Sequence, residues 1–152
     1  MARPRKVARA LLDASALIGY IKGEPEFECL KSLFAAVDRG DVVLVESTAI
    51  LAEVQPGHVR DTEAHALARD SVRELLMSPD TELLDVSTTV GRKAGNLRTE
   101  FGLTTWDAVH LATAIIARVD ILVVRDGKFP KGMVEGVWVT GPYDIDDDKL
   151  FS

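Results

Sequence analysis

The stretch Val42-Val43-Leu44-Val45-Glu46-Ser47-Thr48-Ala49-Ile50-Leu51-Ala52-Glu53-Val54 carries the clearest structural signal in the chain. Its first four residues are an unbroken apolar, mostly β-branched run without the polar alternation of a half-wet strand, so they read as a strand buried on both faces, as in a parallel sheet. Ser47 then offers a side chain suited to capping a helix, which runs to about Val54 before Gln55-Pro56-Gly57 breaks it. A buried strand passing directly into a helix is the repeating unit of an α/β fold.

The same alternation continues outward in both directions. Upstream, Val7 to Leu12 reads as a short buried strand in which Arg9 requires an edge or an end, and a helix begins near Ser15. Pro25 suits a first helical position, and Phe27, Leu30, Leu33, Phe34 and Val37 repeat at helical spacing up to Arg39, with Gly40 as the stop. Downstream, Asp61 caps a helix with Ala64, Leu67, Ala68, Ser71, Val72, Leu75 and Leu76 on one face, followed by Pro79-Asp80 and a strand from Glu82 to Val86. Ser87 caps a helix through Arg98 that Gly102 closes, a further helix runs from Thr105 to Arg118, and strands follow at Ile121–Val124 and Val137–Val139. The expected architecture is a three-layer α/β/α sandwich around a central, mostly parallel sheet.

At 152 residues, with 47% of them hydrophobic, the chain fits a single domain, residues 1–152, with a core at about 7–140 and an acidic C-terminal tail at 143–152. Asp144, Asp146, Asp147 and Asp148 of that tail lack the Gly and terminal Glu of a calcium loop and read as solvated. The lone Cys29 has no partner for a disulfide and no neighbouring Cys or His for zinc, and reads as a buried free thiol. No apolar run is long enough to span a bilayer or follows the basic N-terminus as a leader would, so a cytoplasmic location is expected. The net charge of −6 argues against broad, nonspecific nucleic-acid binding. It does not exclude a nuclease whose centre is built of carboxylates, because divalent cations there supply the positive charge, and Arg92, Lys93, Arg98 and Lys128 can flank such a site.

Open parallel sheets bind ligands beyond the carboxyl ends of their strands, and four acids are delivered to that edge. Asp13 follows the first strand and Asp126 follows the strand ending at Val124. Glu53 lies within two turns of the edge on the helix that leaves the second strand. Asp107 sits at the N-terminus of a helix that runs back toward the start of the next strand, where the dipole favours an ionised carboxylate. Mg²⁺ takes one or two carboxylates and keeps waters and phosphate oxygens, so four carboxylates can hold one or two ions with no histidine base.

These residues fall into four ordered segments: Leu11-Leu12-Asp13-Ala14-Ser15-Ala16-Leu17-Ile18; Ser47 through Glu53-Val54; Asp107-Ala108-Val109-His110-Leu111-Ala112-Thr113-Ala114; and Val123-Val124-Arg125-Asp126-Gly127-Lys128-Phe129. In order and spacing they resemble the successive motifs of the PIN-domain family, most closely the VapC-type toxins of toxin–antitoxin systems. The resemblance spans Leu11 to Phe129. It implies a metal-dependent endoribonuclease that hydrolyses RNA, with Asp13, Glu53, Asp107 and Asp126 as catalytic and metal-binding acids, Mg²⁺ or Mn²⁺ as cofactor, and Ser15 in support. It also implies an antitoxin partner and a homodimer, with Phe27, Leu30, Phe34 and Leu75 as contributors to self-association. One position departs from the family pattern: Val124 stands where Thr or Ser commonly precedes the last Asp by two residues.

Other readings remain for the same acids. Asp13 and Asp126 also suit turns after strands, Glu53 a solvated helix face, and Asp107 a first-turn acid near a Thr105 cap. His110 shares a helical face with Asp107, but at that position reads first as a packed histidine. An aspartyl phosphatase resembling the haloacid dehalogenase family would place a second acid where Ser15 stands, and a phosphoacceptor receiver would need an Asp where Ser87 and Thr88 follow the third strand. A non-catalytic PIN-like binding module is the remaining alternative.

Overall fold

The computed structural model describes residues 3–54, 62–125 and 127–147. The strands are β1 (Arg9–Leu12), β2 (Val43–Ser47), β3 (Glu82–Leu84), β4 (Ile121–Val123), β5 (Gly132–Val134) and β6 (Val137–Thr140). The helices are α1 (Ala14–Ile21), α2 (Lys31–Asp38), α3 (Ala49–Glu53), α4 (Glu63–Leu76), α5 (Thr88–Phe101) and α6 (Thr105–Ile116), with a 3-10 segment at Pro25–Leu30. One sheet runs in the order β3-β2-β1-β4-β6-β5, parallel throughout except for the β5–β6 pair at its edge.

Period-two alternation along buried strands sorts the core into two layers. Ala10 and Leu12 of β1, Leu44 of β2 and Ile121 and Val123 of β4 pack with Leu17, Leu33 and Leu76 from α1, α2 and α4. Leu11, Val45, Leu122 and Val139 face the other way, onto Val90, Leu97, Leu111 and Ala112 of α5 and α6. The three-layer α/β/α arrangement is therefore present, and it explains why the β2 run carries no polar alternation. Among the described residues no helix is long and apolar enough to cross a membrane.

Arg9 opens β1 and reaches outward, its guanidinium donating to both Glu82 carboxylate oxygens at 2.9 and 2.8 Å and to the Ala117 carbonyl at 3.1 Å. Ser87 caps α5 by accepting from the Val90 amide, and Gly102 ends it with a φ of 68°, a conformation that costs glycine least.

Several boundaries differ from expectation, each for a local reason. The helix expected from Pro25 to Arg39 divides into the 3-10 segment and α2, and Phe27 and Leu30 are fully buried in the 3-10 part. Phe27 and Leu30 are thus core residues with no surface to offer a second copy, whereas Phe34, 9% exposed, and the half-buried Leu75 both line a surface cavity. Thr104, not Thr105, caps α6, its hydroxyl accepting from the Asp107 amide. Thr48 precedes α3, while the Ser47 hydroxyl accepts from the Ala49 amide at 3.2 Å. β5 had no sequence signal of its own: a Gly-Met-Val triplet at an antiparallel edge has too few residues to show a period. Cys29 is a free thiol, but half-buried rather than buried. The start of the tail is also less solvated than expected, since Tyr143 and Ile145 pack against the first core layer and the Ile145 amide donates to Ser32 Oγ at 3.2 Å. The expected break at Gln55-Pro56-Gly57, the Asp61 cap and Asp148 lie outside the described residues.

Candidate active site

Connections from β1 lead through β2 to β3 on one side of the sheet, and the chain then crosses to place β4 on the other side of β1. The β1–β4 boundary is thus the point where strand order reverses, the place where an open parallel sheet leaves a crevice at its carboxyl edge. Asp13 is the first residue beyond β1 at that boundary. Its amide donates to the Val123 carbonyl at 3.0 Å, and its Oδ1 accepts from the Ala16 amide at 2.8 Å as the N-cap of α1. The cap fixes the carboxyl group at the crevice, where it is 2% exposed.

Burial is the main reason the Asp13 carboxyl is pushed up from its ordinary 3.8 to about 6; the Ala16 amide and His110 oppose the rise, and the charges of Asp107 and Glu53 add to it. Glu53, Asp107 and His110 are thus each near enough to act on the charge of Asp13. Glu53 is the last residue of α3, and five residues at about 1.5 Å of rise keep it close to the edge from which the helix departs. Asp107 lies half-buried in the first turn of α6, and α6 runs opposite to β4, so its N-terminus faces the same edge.

His110, one turn beyond Asp107, is fully buried, with Nε2 2.5 Å from Glu53 Oε1. An ionised carboxylate only accepts, so Nε2 is the donor to it. The packed reading of His110 is correct as far as burial goes, but the ring also holds a site carboxylate. Its Nδ1 has no hydrogen-bond partner among the described residues.

Ser15 is exposed on the first turn of α1, beside Asp13, and makes no hydrogen bond among the described residues. Asp126 lies outside the described residues. The preceding Arg125 is anchored to Glu24 at 2.7 Å and Glu26 at 3.6 Å, with its guanidinium carbon 4.9 Å from the centre of the Phe27 ring. Val124, where the family pattern favours a hydroxyl, is fully buried in the second core layer. Its side chain serves packing and supplies nothing polar to the crevice.

Glu46 was missed by sequence reasoning. It is fully buried in β2, its Oε1 accepts from the Leu12 amide at 3.0 Å, and its Oε2 has no hydrogen-bond partner among the described residues. Burial holds its carboxyl well above the usual range, the Leu12 amide opposes this, and the charges of Asp13 and Glu53 reinforce it. The signal available beforehand was an acid inside an otherwise apolar strand, where charged side chains are rare without a partner.

The carboxylates here are hard oxygen donors, and Glu46 Oε2, buried without a partner among the described residues, is a polar end that a hydrated cation or its water can satisfy. The donor set therefore fits a divalent ion such as Mg²⁺ or Mn²⁺. Among the described residues no three such groups close on one point. A cavity of about 490 Å³ lies elsewhere, between α1, the 3-10 segment, α2 and α4, and is lined in part by Ile21, Phe34, Val72 and Leu75 with Glu24, Glu28 and Asp38.

The fold is shared with chains in solved toxin–antitoxin complexes. A chain of the toxin–antitoxin complex from Klebsiella pneumoniae is 24% identical, covering 84% of this chain and 94% of its own length at a TM-score of 0.57. A chain of DNA-bound VapBC from Salmonella typhimurium is 20% identical with 87% and 96% covered at a TM-score of 0.61. One of VapBC-5 from Mycobacterium tuberculosis is 19% identical with 88% and 98% covered at 0.58. No curated protein matches the chain by sequence. The model of the PIN domain matches residues 10–132, a span that runs from β1 into β5 and includes Asp13, Glu46, Glu53, Asp107 and Asp126, and the chain belongs to the PIN domain family.

Proposed function

We propose that the chain is a metal-dependent endoribonuclease, acting on RNA as the toxin of a toxin–antitoxin pair. The observation that supports this reading is the buried Asp13 carboxyl, held by the Ala16 amide at the strand-order reversal of a PIN-family sheet, with Glu53, bound to His110, and Asp107 on the elements that reach the same edge. Asp13, Glu53 and Asp107, with Asp126, would hold one or two Mg²⁺ or Mn²⁺ ions. Such ions supply the positive charge that activates a water and stabilises the leaving oxygen of a phosphodiester. The chain's own residues bind and orient: the α1 cap aims Asp13, His110 steadies Glu53, and exposed Arg92, Arg98 and Lys128 remain for the phosphate backbone.

The antitoxin part of the reading is supported by the shared fold with VapBC chains and by the cavity beside α1, α2 and α4. Its apolar floor, with a rim that carries Glu24, Glu28, Asp38 and Lys31, suits the apolar face of an amphipathic helix. The reading also includes a homodimer, checked by sedimentation at micromolar concentration. The deciding experiment incubates the purified chain with a total RNA pool, with and without EDTA, and maps cleavage ends. Internal cleavage that needs the metal and vanishes in Asp13→Asn supports the nuclease; cleavage that persists in EDTA, or in the folded Asn variant at saturating Mg²⁺, refutes it. If neither form cleaves but both bind RNA, the non-catalytic binding module is the better reading.

A further inference from the structure

β1 and β2 separate at the edge where the acids gather. Their pairing is registered at Arg9↔Val43 and Ala10↔Leu44, whereas β1 stays with β4 through Leu12↔Val123 and β2 stays with β3 through Ser47↔Leu84. The Leu12 amide is therefore left facing a gap where a strand carbonyl would otherwise receive it. Glu46 fills that gap with a side chain, Oε1 accepting from the Leu12 amide at 3.0 Å. On its other side, the residue after Leu12 is tied to β4 through the Asp13 amide and Val123 carbonyl at 3.0 Å. The carboxyl end of β1 is held between these two bonds, one from backbone and one from a carboxyl group.

A strap of this kind needs one acceptor, and a neutral polar side chain would provide it at less cost. Glu46 brings a second oxygen that is buried with no partner among the described residues, in a place where two further acids already lie nearby. Burying an acid this way is expensive for the fold, and the role that accounts for its place is the bond to the Leu12 amide. The arrangement is expected of a group that serves the site, since groups that orient metal-binding side chains act through hydrogen bonds of this sort.

We propose that Glu46 is a positioning residue of the acidic site, fixing the end of β1, and with it Asp13, at the separation from Glu53 that a divalent ion requires. This rests on reading Asp13 and Glu53 as metal-holding acids. Glu46 acts through Leu12 and need not touch the ion itself.

The test compares full-length wild type with Glu46→Gln, Glu46→Asp, Glu46→Leu and Asp13→Asn, using Mn²⁺ binding by titration calorimetry beside RNA cleavage kinetics and circular dichroism. Glu46→Asp keeps the charge but is one methylene too short to reach the Leu12 amide, so Mn²⁺ affinity should fall about 10-fold, with kcat falling more than KM rises. Glu46→Leu should do the same, whereas Glu46→Gln keeps an acceptor and should stay within about 3-fold of wild type, the conservative variant restoring what the others lose. Wild-type Mn²⁺ affinity in folded Glu46→Asp overturns the proposal, as does an equal loss in Glu46→Gln and Glu46→Leu, which would make the charge rather than the strap the active feature. If Glu46→Leu does not fold, the Asp and Gln pair decides alone. If Asp13→Asn binds Mn²⁺ as well as wild type does, the acidic-site reading itself fails and takes this proposal with it. If Asp13→Asn loses Mn²⁺ and Glu46→Asp does not, only the role of Glu46 falls.

Discussion

Replacing Asp13 with Asn should stabilise the metal-free protein while abolishing its activity, because the folded chain holds that carboxyl where its charge is unwelcome. A carboxyl moved from 3.8 to about 6, chiefly by burial, disfavours its ionised form by about 3 kcal/mol, at roughly 1.4 kcal/mol per pH unit. The folded value lies above the unfolded one, so the favourable neutral form is fully present below about pH 4, and its contribution is lost as pH rises to about 6. Asn imitates the neutral acid at every pH and caps helices about as well as Asp, so the bond from the Ala16 amide survives the change. In EDTA the two proteins should therefore be similarly stable near pH 4 and diverge with rising pH. By pH 7.5 the Asn variant should be about 2 to 3 kcal/mol more stable, which for a chain of this size is a rise in Tm of roughly 4 to 12 °C. Urea unfolding followed by circular dichroism across that pH range measures the difference directly. Saturating Mg²⁺ should then raise the stability of wild type and leave the variant nearly unchanged, since only the native carboxylate site gains from the ion. A gap that does not grow with pH, or an Asn variant less stable than wild type at pH 7.5, would refute the argument that burial of Asp13 is a cost carried for function.

Three further outcomes are expected. Gly19→Ala should destabilise by about 1 to 3 kcal/mol in thermal unfolding, since a Cβ there would sit 2.5 Å from the Phe27 ring carbon Cδ2 and 2.8 Å from an Arg125 nitrogen. Arg9→Ala should cost no more than about 1 kcal/mol in urea unfolding and leave cleavage intact, because its paired bond to Glu82 lies at a half-exposed edge at the far end of β1 from Asp13. An antitoxin that places an Arg among the carboxylates should lose inhibitory strength as Mg²⁺ is raised, and should bind less tightly to the Asp107→Asn, Asp126→Asn double variant; binding measured by calorimetry that ignores both changes excludes that mode of inhibition.

The parts of the fold that the sequence made legible are those in which one physical constraint acts alone. The β2 run is apolar because both of its faces are covered, and the α5 boundaries follow from a serine that accepts from the Val90 amide and a glycine at positive φ. The Phe27 to Val37 periodicity was equally clear, yet it could not separate a 3-10 segment from an α-helix or core from interface. Spacing of apolar residues records that a face is buried and not what buries it. The same ambiguity led to Phe27 and Leu30 as expected dimer contacts, whereas both are wholly enclosed by their own chain.

The site divides along a similar line. The places of Asp13 and Asp107 were legible because strand ends and helix starts occupy predictable edges of a parallel sheet, and that of Glu53 followed from the short helix behind β2. Glu46 and His110 were not reachable by that route, since neither lies at an element end and each acts through a contact far away in sequence. Glu46 serves the Leu12 amide 34 positions earlier, and His110 serves Glu53 57 positions earlier. Both are fully buried polar groups with one end engaged and the other without a partner among the described residues. A polar residue enclosed on all sides and left half-satisfied is a poor solution to folding, and here both cases act on the same two acids, Asp13 and Glu53. On the proposed reading their coincidence has one cause: Asp13, Glu53 and Asp107 would supply the charge for an ion at the β1–β4 crevice, and the buried groups behind them would hold those acids in place.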